Sequence, residues 1–266
     1  MLKKTMMATM HNDLIIGDTS QISKYMSNDI KKISARNINS EIFEKHWNRV
    51  YFFFAEQRTV FAKNRDYKEL FKKVNVDLTL DIARKISCKK LVYLSTIELW
   101  NKCSGQIDLS TPQNFEENYY TITKFEATKK ISLMDNSIVL YPFNFNSKHR
   151  SEDFLFGKIF QSVLTKKKIS VGNLNWDRDI LHANWVANIA SNSQTSAMIG
   201  SGTYCNVKTY VKDIYRMFNL KYEDYVSEDM SIDPKQSLIY LKSNSIHYSY
   251  EQLLIDTVKD LREAIQ

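Results

Sequence analysis

Short apolar runs alternate along this chain with longer amphipathic stretches, and that alternation limits the fold more than any other feature. Leu14-Ile15-Ile16-Gly17 has the pattern of a buried strand, followed by a helical stretch from about Ser20. Val50-Tyr51-Phe52-Phe53-Phe54-Ala55 is a second strand. From Tyr67 to Ile86 the apolar residues Leu70, Val74, Leu78, Ile82 and Ile86 recur at helical spacing. Leu91 to Leu94 is a third strand ending at Ser95-Thr96, a helix is expected from about Glu117 to Met134, and Ile138 to Tyr141 is a fourth strand. Further helices are expected near Phe154 to Leu164, Ala183 to Ala190, Val207 to Phe218 and Tyr250 to Ile265. Short strands fall at Ile169 to Val171 and near Ala197 to Ile199. Strands that are apolar throughout and alternate with helices belong to a parallel sheet covered on both faces. The chain has 6 glycines and 3 prolines in 266 residues, too few turn formers for a many-stranded barrel or sandwich. The expected fold is doubly wound α/β.

Hydrophobic residues at 43% and charged residues at 25% are ordinary for a globular protein and exclude a disordered chain. A net charge of +7 favours an anionic partner, whether nucleic acid or a phosphorylated small molecule. The basic residues are dispersed, and the densest cluster, Lys166-Lys167-Lys168, also fits the solvated end of a helix. No nucleic-acid partner is therefore expected. No apolar run approaches the roughly 20 residues of a membrane helix, and the stretch from Met6 to Asn12 is too polar for a signal-peptide core. Cys88, Cys103 and Cys205 are scattered and lack metal-ligand spacing. A reduced, cytoplasmic protein with no membrane partner and no metal is the expectation.

In doubly wound sheets ligands bind at the carboxyl ends of strands. After the first strand comes Gly17-Asp18-Thr19-Ser20-Gln21-Ile22-Ser23. A dinucleotide fold wants glycines there, so that the backbone can approach a pyrophosphate. This segment has one glycine and serines at two expected glycine positions, so it reads either as a modified phosphate loop or as an ordinary strand-to-helix turn. After the third strand, Ser95-Thr96-Ile97-Glu98-Leu99-Trp100 precedes Tyr120-Thr121-Ile122-Thr123-Lys124. A tyrosine and a lysine four apart share one helix face. A nearby ammonium favours a phenolate, and a strand-end hydroxyl at Thr96 can bind the same substrate oxygen. Such a set moves a proton on or off an alcohol during hydride transfer.

These residues resemble the extended short-chain dehydrogenase/reductase family, and within it the nucleotide-sugar 4,6-dehydratases of the GDP-mannose type. Ser95-Thr96-Ile97-Glu98-Leu99-Trp100 is similar to that group's Ser-Thr-Ser-Glu-Leu-Tyr, and the step from Thr96 to Tyr120 matches its spacing. Tyr141-Pro142-Phe143-Asn144 resembles its Arg-x-Phe-Asn segment. Val171-Gly172-Asn173-Leu174-Asn175 with Arg178-Asp179-Ile180-Leu181-His182 resembles its Gly-Asn-Leu-x-x-x-Arg-Asp-x-x-His stretch. Asn75 and Thr79 match an Asn-x-x-x-Thr helix, and Gly200-Ser201-Gly202 precedes a helix as in many members.

The resemblance implies a Rossmann-like sheet over residues 1–143 that binds NADP or NAD. Residues 144–266 would form mainly a lobe for a nucleotide-diphosphate sugar, with the last sheet elements interleaved. Tyr120 would take the proton of the sugar 4-hydroxyl as hydride leaves C4. Lys124 would lower the pKa of Tyr120 and hold the nicotinamide ribose, and Thr96 would bind the sugar oxygen. Glu98 would remove the C5 proton in a dehydratase; a 4-keto-sugar reductase or an epimerase would not need it. Gly17, Ser20, Gln21, Ile22 and Ala55 would line the cofactor site. Arg36 would face a 2′-phosphate or sit in a loop. Asn144, Gly172 and Arg178 would hold the substrate, unless Arg178 is engaged by Asp177 or Asp179, and His182 is read as structural. Pairing through the Tyr120 helix and the Tyr67 to Ile86 segment would make a homodimer. The chain departs from the family in its single loop glycine, in Glu56-Gln57-Arg58 after the second strong strand, and in a short interval from Gly17 to Val50 with room for one strand near Lys32 to Ala35. Those departures leave a non-catalytic fold open as an alternative.

Overall fold

The computed structural model describes residues 12–58, 61–231, 238–242 and 248–265. Residues 6–11 of the polar stretch noted above lie outside them. Leu14–Ile16 (β1), Lys31–Ile33 (β2) and His46–Phe52 (β3) lead to a helical segment built from Lys68–Lys72 (α1), a π-helical stretch Lys73–Leu78 and Thr79–Lys85 (α2). Ser87–Leu94 (β4), Gly105–Ile107 (β5), Tyr119–Ile131 (α3), Ser137–Pro142 (β6) and Asn144–Asn146 (β7) follow. Next come Leu155–Thr165 (α4), Ile169–Gly172 (β8), Asp177–Arg178 (β9), Ile180–His182 (β10), Ala183–Asn192 (α5) and Ala197–Ile199 (β11). Cys205–Asn206 (β12), Val207–Met217 (α6), Tyr222–Tyr225 (α7), Val226–Asp229 (β13), Ile239–Leu241 (β14) and Tyr250–Glu263 (α8) complete the description.

Six strands form one parallel sheet in the order β2-β1-β3-β4-β6-β11. Its centre is closed to water: Leu14, Ile16, Phe52, Val92 and Leu140 are fully buried. This is the expected Rossmann-like α/β sheet, with one strand fewer on the β2 edge than the 3-2-1-4-5-6 order of the full fold. The strand order reverses between β1 and β3, so the crevice at their carboxyl ends is the place where such sheets bind ligands.

The first half differs from expectation. The helix expected from about Ser20 is only a three-residue 3-10 turn, Ile22–Lys24, and the β2–β3 link holds another, Ser40–Ile42. Between β1 and β2, Ile22 and Met26 are the only buried apolar residues, and Ser27, Asn28 and Asp29 favour a turn over a helix. Cover comes instead from α5, which packs on the Ile22–Lys24 turn. The Arg49 guanidinium donates to Ser191 O and Ser193 O, 3.0 Å each, and ties β3 to the end of that helix. The strand expected at Val50 to Ala55 begins earlier and stops at Phe52, because its neighbour β1 ends at Ile16; Phe53 N still donates to Ile16 O at 2.9 Å. Four two-stranded pairs, β7 with β10, β8 with β13, β9 with β12 and β5 with β14, lie outside the main sheet, and of their strands only β8, expected at Ile169 to Val171, had a signature in the sequence. At two to four residues each, the others are too short to show a period. Among the described residues no helix is long and apolar enough to cross a membrane.

Gly17 is the pivot of the reversal. Its φ is +113°, and a Cβ there would lie 2.7 Å from the carbonyl carbon of Phe53. Gly17→Ala is expected to cost about 2–3 kcal/mol, combining backbone strain and a clash with main chain. Urea unfolding measures this, and an unchanged midpoint would contradict the packing described.

Candidate active site

The carboxyl ends of β1, β3, β4 and β6 open onto a cleft of about 400 Å³. Helix α3 enters it well anchored. The Asn118 side chain accepts from Thr121 N at 3.0 Å, Thr121 Oγ1 accepts from Asn118 N at 3.0 Å, and this reciprocal cap fixes the first turn. Tyr120 and Lys124 then face the cleft one turn apart. Thr96 caps the Ile97–Trp100 turn, its Oγ1 accepting from Glu98 N at 3.2 Å, and the turn carries Glu98 into the same space. Ser95 Oγ and Thr128 Oγ1, 2.6 Å apart, lock the end of β4 to α3. Asn75, in the π-helical stretch, accepts from Glu56 N at 2.7 Å and donates to Glu56 O and Thr123 Oγ1. It thereby joins the segment after β3 to α3.

Of the residues singled out in the sequence, Thr96, Glu98, Tyr120, Lys124, Ser20, Gln21, Ile22, Ala55, Asn144 and Arg178 all line this cleft. Gly17, Arg36 and Gly172 do not. Gly17 is packed on Phe53, Arg36 lies exposed after β2, and Gly172 ends β8 in the outer lobe. His182 is structural: its Nδ1 accepts from Asn184 N at 3.2 Å to cap α5, and its Nε2 meets Asp260 at 3.3 Å. Arg178 forms no ion pair among the described residues. Asp179 turns instead to the amides of Ser201, at 3.0 and 3.1 Å, and of Leu241, at 3.2 Å. The Arg178 guanidinium lies over the Trp176 ring at 4.8 Å. Sequence reading missed Arg150, which also lines the cleft, with its guanidinium 3.8 Å from the Phe154 ring. The one available signal was a basic residue in the loop that follows Asn144.

Burial sets the electrostatics. Lys124 is 2% exposed, and desolvation brings its pKa down to about 7. Its Nζ donates to Tyr93 Oη and Leu94 O, both at 2.7 Å, which leaves one N–H for a ligand. The Tyr120 phenol is pushed up to about 12 by burial, with Thr96 and Arg150 pulling it down and Glu98 raising it. Desolvation also lowers Arg150, to about 10, and Arg178.

Residues of the cleft fit a nicotinamide cofactor at one end. Ala55, Leu94, Ser95, Pro142 and Phe143 provide a half-apolar floor beside the open N–H of Lys124. The pyrophosphate end is altered. Gly17 N and Asp18 N both donate to Ile33 O, and Ser20 N donates to Gly17 O. Asp18 brings a carboxylate whose Oδ1 is buried without a partner. The amides of Thr19, Gln21 and Ile22 and the Ser20 hydroxyl remain for an anion.

The sequence matches no protein-family model and no curated protein. Solved structures do match. RMD from Pseudomonas aeruginosa in complex with NADPH superposes with a TM-score of 0.75 at 13% identity, over 95% of this chain and 99% of that one. UDP-glucuronic acid 4-epimerase from Bacillus cereus, with UDP-glucuronic acid and NAD, gives 0.75 at 12%, over 95% and 99%. dTDP-glucose 4,6-dehydratase from Bacillus anthracis, with NAD, gives 0.73 at 16%, over 95% and 96%. The chain has their fold.

Two predictions follow from the site's charges. Between the lowered pKa of Lys124, about 7, and its ordinary 10.5, the unfolded chain binds a proton that the folded chain does not. Wild-type stability should therefore rise with pH through that window by up to about 1.4 kcal/mol per unit, relative to Lys124→Met. Parallel unfolding of the two proteins from neutral to mildly alkaline pH tests this; a constant difference would refute it. If the loop after β1 receives a dinucleotide pyrophosphate, Asp18→Asn should tighten NADH binding about 5-fold by removing a nearby negative charge. Fluorescence titration reads that change, and equal affinities would place the diphosphate elsewhere.

Proposed function

We propose that this protein is an NAD(P)-dependent enzyme acting on a nucleotide-diphosphate sugar, and specifically a sugar-nucleotide 4,6-dehydratase. The observation that carries the reading is the convergence in one cleft of Thr96, Glu98, Tyr120 and Lys124 with two arginines, the half-buried Arg150 and the buried Arg178, that form no ion pair among the described residues. A hydroxyl, a carboxylate, a phenol and an amine suit proton transfer at neighbouring sugar carbons, and the arginines suit a diphosphate. NAD or NADPH bound in the matching solved structures supports the choice of cofactor.

A nicotinamide bound beside Ala55 and Lys124 supplies hydride acceptance and return. Tyr120 takes the proton of the 4-hydroxyl, and Thr96 holds the same oxygen. The free N–H of Lys124 holds the cofactor ribose. Glu98 removes the C5 proton and hands it to the C6 hydroxyl, which leaves as water. Asn144 and Arg178 hold the sugar and its diphosphate. Residues 1–143 would then carry the cofactor and residues 144–266 chiefly the sugar nucleotide, in a homodimer paired through α3 and the α1–α2 segment. The motif resemblance makes a GDP-hexose the first substrate to try.

A reductase or epimerase would use the same Thr96, Tyr120 and Lys124 without Glu98, and the altered pyrophosphate loop favours a non-catalytic role as the second reading. Mass spectrometry of nucleotide-hexoses and 4-keto-6-deoxy nucleotide sugars, incubated with both nicotinamide cofactors, separates these. The expected outcome is loss of one water from a hexose with no net cofactor oxidation, and a drop of about 100-fold or more in that rate for Glu98→Gln. Gain of two hydrogens on a keto sugar, with activity kept in Glu98→Gln, would make it a reductase. No conversion of any substrate would support the non-catalytic reading.

A further inference from the structure

We propose that the outer face of α8 is a docking surface for a second copy of this chain, seated antiparallel about a two-fold axis that passes between Ile255 and Val258. On its inner side α8 is fixed by Leu253, Thr257 and Leu261, which are buried against the rest of the fold. On its outer side Leu254, Ile255 and Val258, with Met217 from the end of α6, line an apolar groove of about 560 Å³. Val258 is its floor at 4% exposed, whereas Ile255 stands 51% exposed and Met217 41%. An open apolar groove with an aliphatic side chain projecting beside it has the form of an interaction surface.

The charges at the rim identify the occupant. Glu251 lies in the first turn of α8 and Arg262 in the last. Neither forms an ion pair among the described residues, nor does Lys259 between them. Glu263, the remaining rim charge, is bonded to Lys148 at 3.1 Å. The open charges are therefore acidic at the amino end of the helix and basic at its carboxyl end.

Glu251 and Arg262 stand about 16 Å apart along the helix, each about 8 Å from their midpoint. That midpoint is also the midpoint of Ile255 and Val258. A two-fold rotation about it sets each Glu251 against the partner's Arg262, and each Ile255 over the partner's Val258 floor. The same patch thus supplies both knob and hole, and both signs of charge. A parallel arrangement would instead put like charges together at both ends and align the helix dipoles unfavourably. With two acidic and two basic residues, the rim has no net charge to hold an anionic lipid surface. The surface belongs to α8 and α6, so it uses different elements from a pairing through α3, and it does not depend on what the cleft binds.

Sedimentation velocity of the full chain, over a series reaching high micromolar concentration, tests the pairing. Ile255→Asp should have at most half the mass of the largest wild-type species, whether or not α3 also pairs. Glu251→Arg and Arg262→Glu should each weaken association about 10-fold, because each sets two like-charged pairs across the interface. An equimolar mixture of those two variants should regain it, since the introduced arginine then meets the introduced glutamate and the two native residues meet each other. Equal masses for wild type and Ile255→Asp would overturn the proposal, and so would a mixture as weak as its components. Equal masses with wild type, but not Ile255→Asp, bound to phosphatidylglycerol vesicles would give the face to a membrane instead. All three positions are exposed, so the fold should survive these changes, and thermal melts verify it.

Discussion

The span from β1 to β3 is too poor in apolar residues to build a helix, and most of what sets this molecule apart follows from that constraint. A sheet face must be covered, so α5, far along the chain, is drawn over the Ile22–Lys24 turn and clamped by Arg49. Without a helix after β1 there is no aligned stack of free amides at its start. The loop then spends the Gly17 and Asp18 amides on Ile33 O, which holds β2 against β1. The same economy that shortens the fold therefore removes donors from the place where this architecture grips a pyrophosphate.

The other half of the crevice shows the opposite tendency. Lys124, Arg150 and Arg178 all enter the cleft under desolvation, against one nearby carboxylate, Glu98. Glu116 also lines it but is bonded to Lys63 at 2.6 Å. Burying cations without partners costs stability that a core of apolar residues would not. The arrangement makes physical sense when an anion completes it.

What could be read from the sequence divides along the same line. Strands such as Leu14-Ile15-Ile16 and Ile138-Val139-Leu140 announce themselves because both faces are buried. Ten of the thirteen residues named from motifs come together because strand ends in a parallel sheet converge whatever the loops do. The 3-10 turn at Ile22–Lys24 was read as a helix because Ile22 and Met26 mimic its spacing over one turn. Tyr-x-x-x-Lys fixes which helix face two side chains share, but it carries no information about the strand below. The Tyr93 hydroxyl that captures Lys124 comes from β4, and only the register of sheet against helix reveals it. Arg150 escaped for a similar reason, since an isolated arginine in a polar loop has no period and no motif.

Asp260 joins these separate features. Burial pushes its carboxyl up, but hydrogen bonds from His182 and the Lys148 amide pull it down to about 2. Because Asn184 N donates to Nδ1 of His182, the ring proton sits on Nε2, facing Asp260. One carboxylate on α8 therefore holds the cap of α5 and the start of the Arg150 loop together. Ser147, next to Lys148, reaches across to Gln21 in the phosphate loop. The helix that replaces missing sheet cover, the loop that lost its donors and the segment carrying Arg150 are consequently parts of one hydrogen-bonded unit.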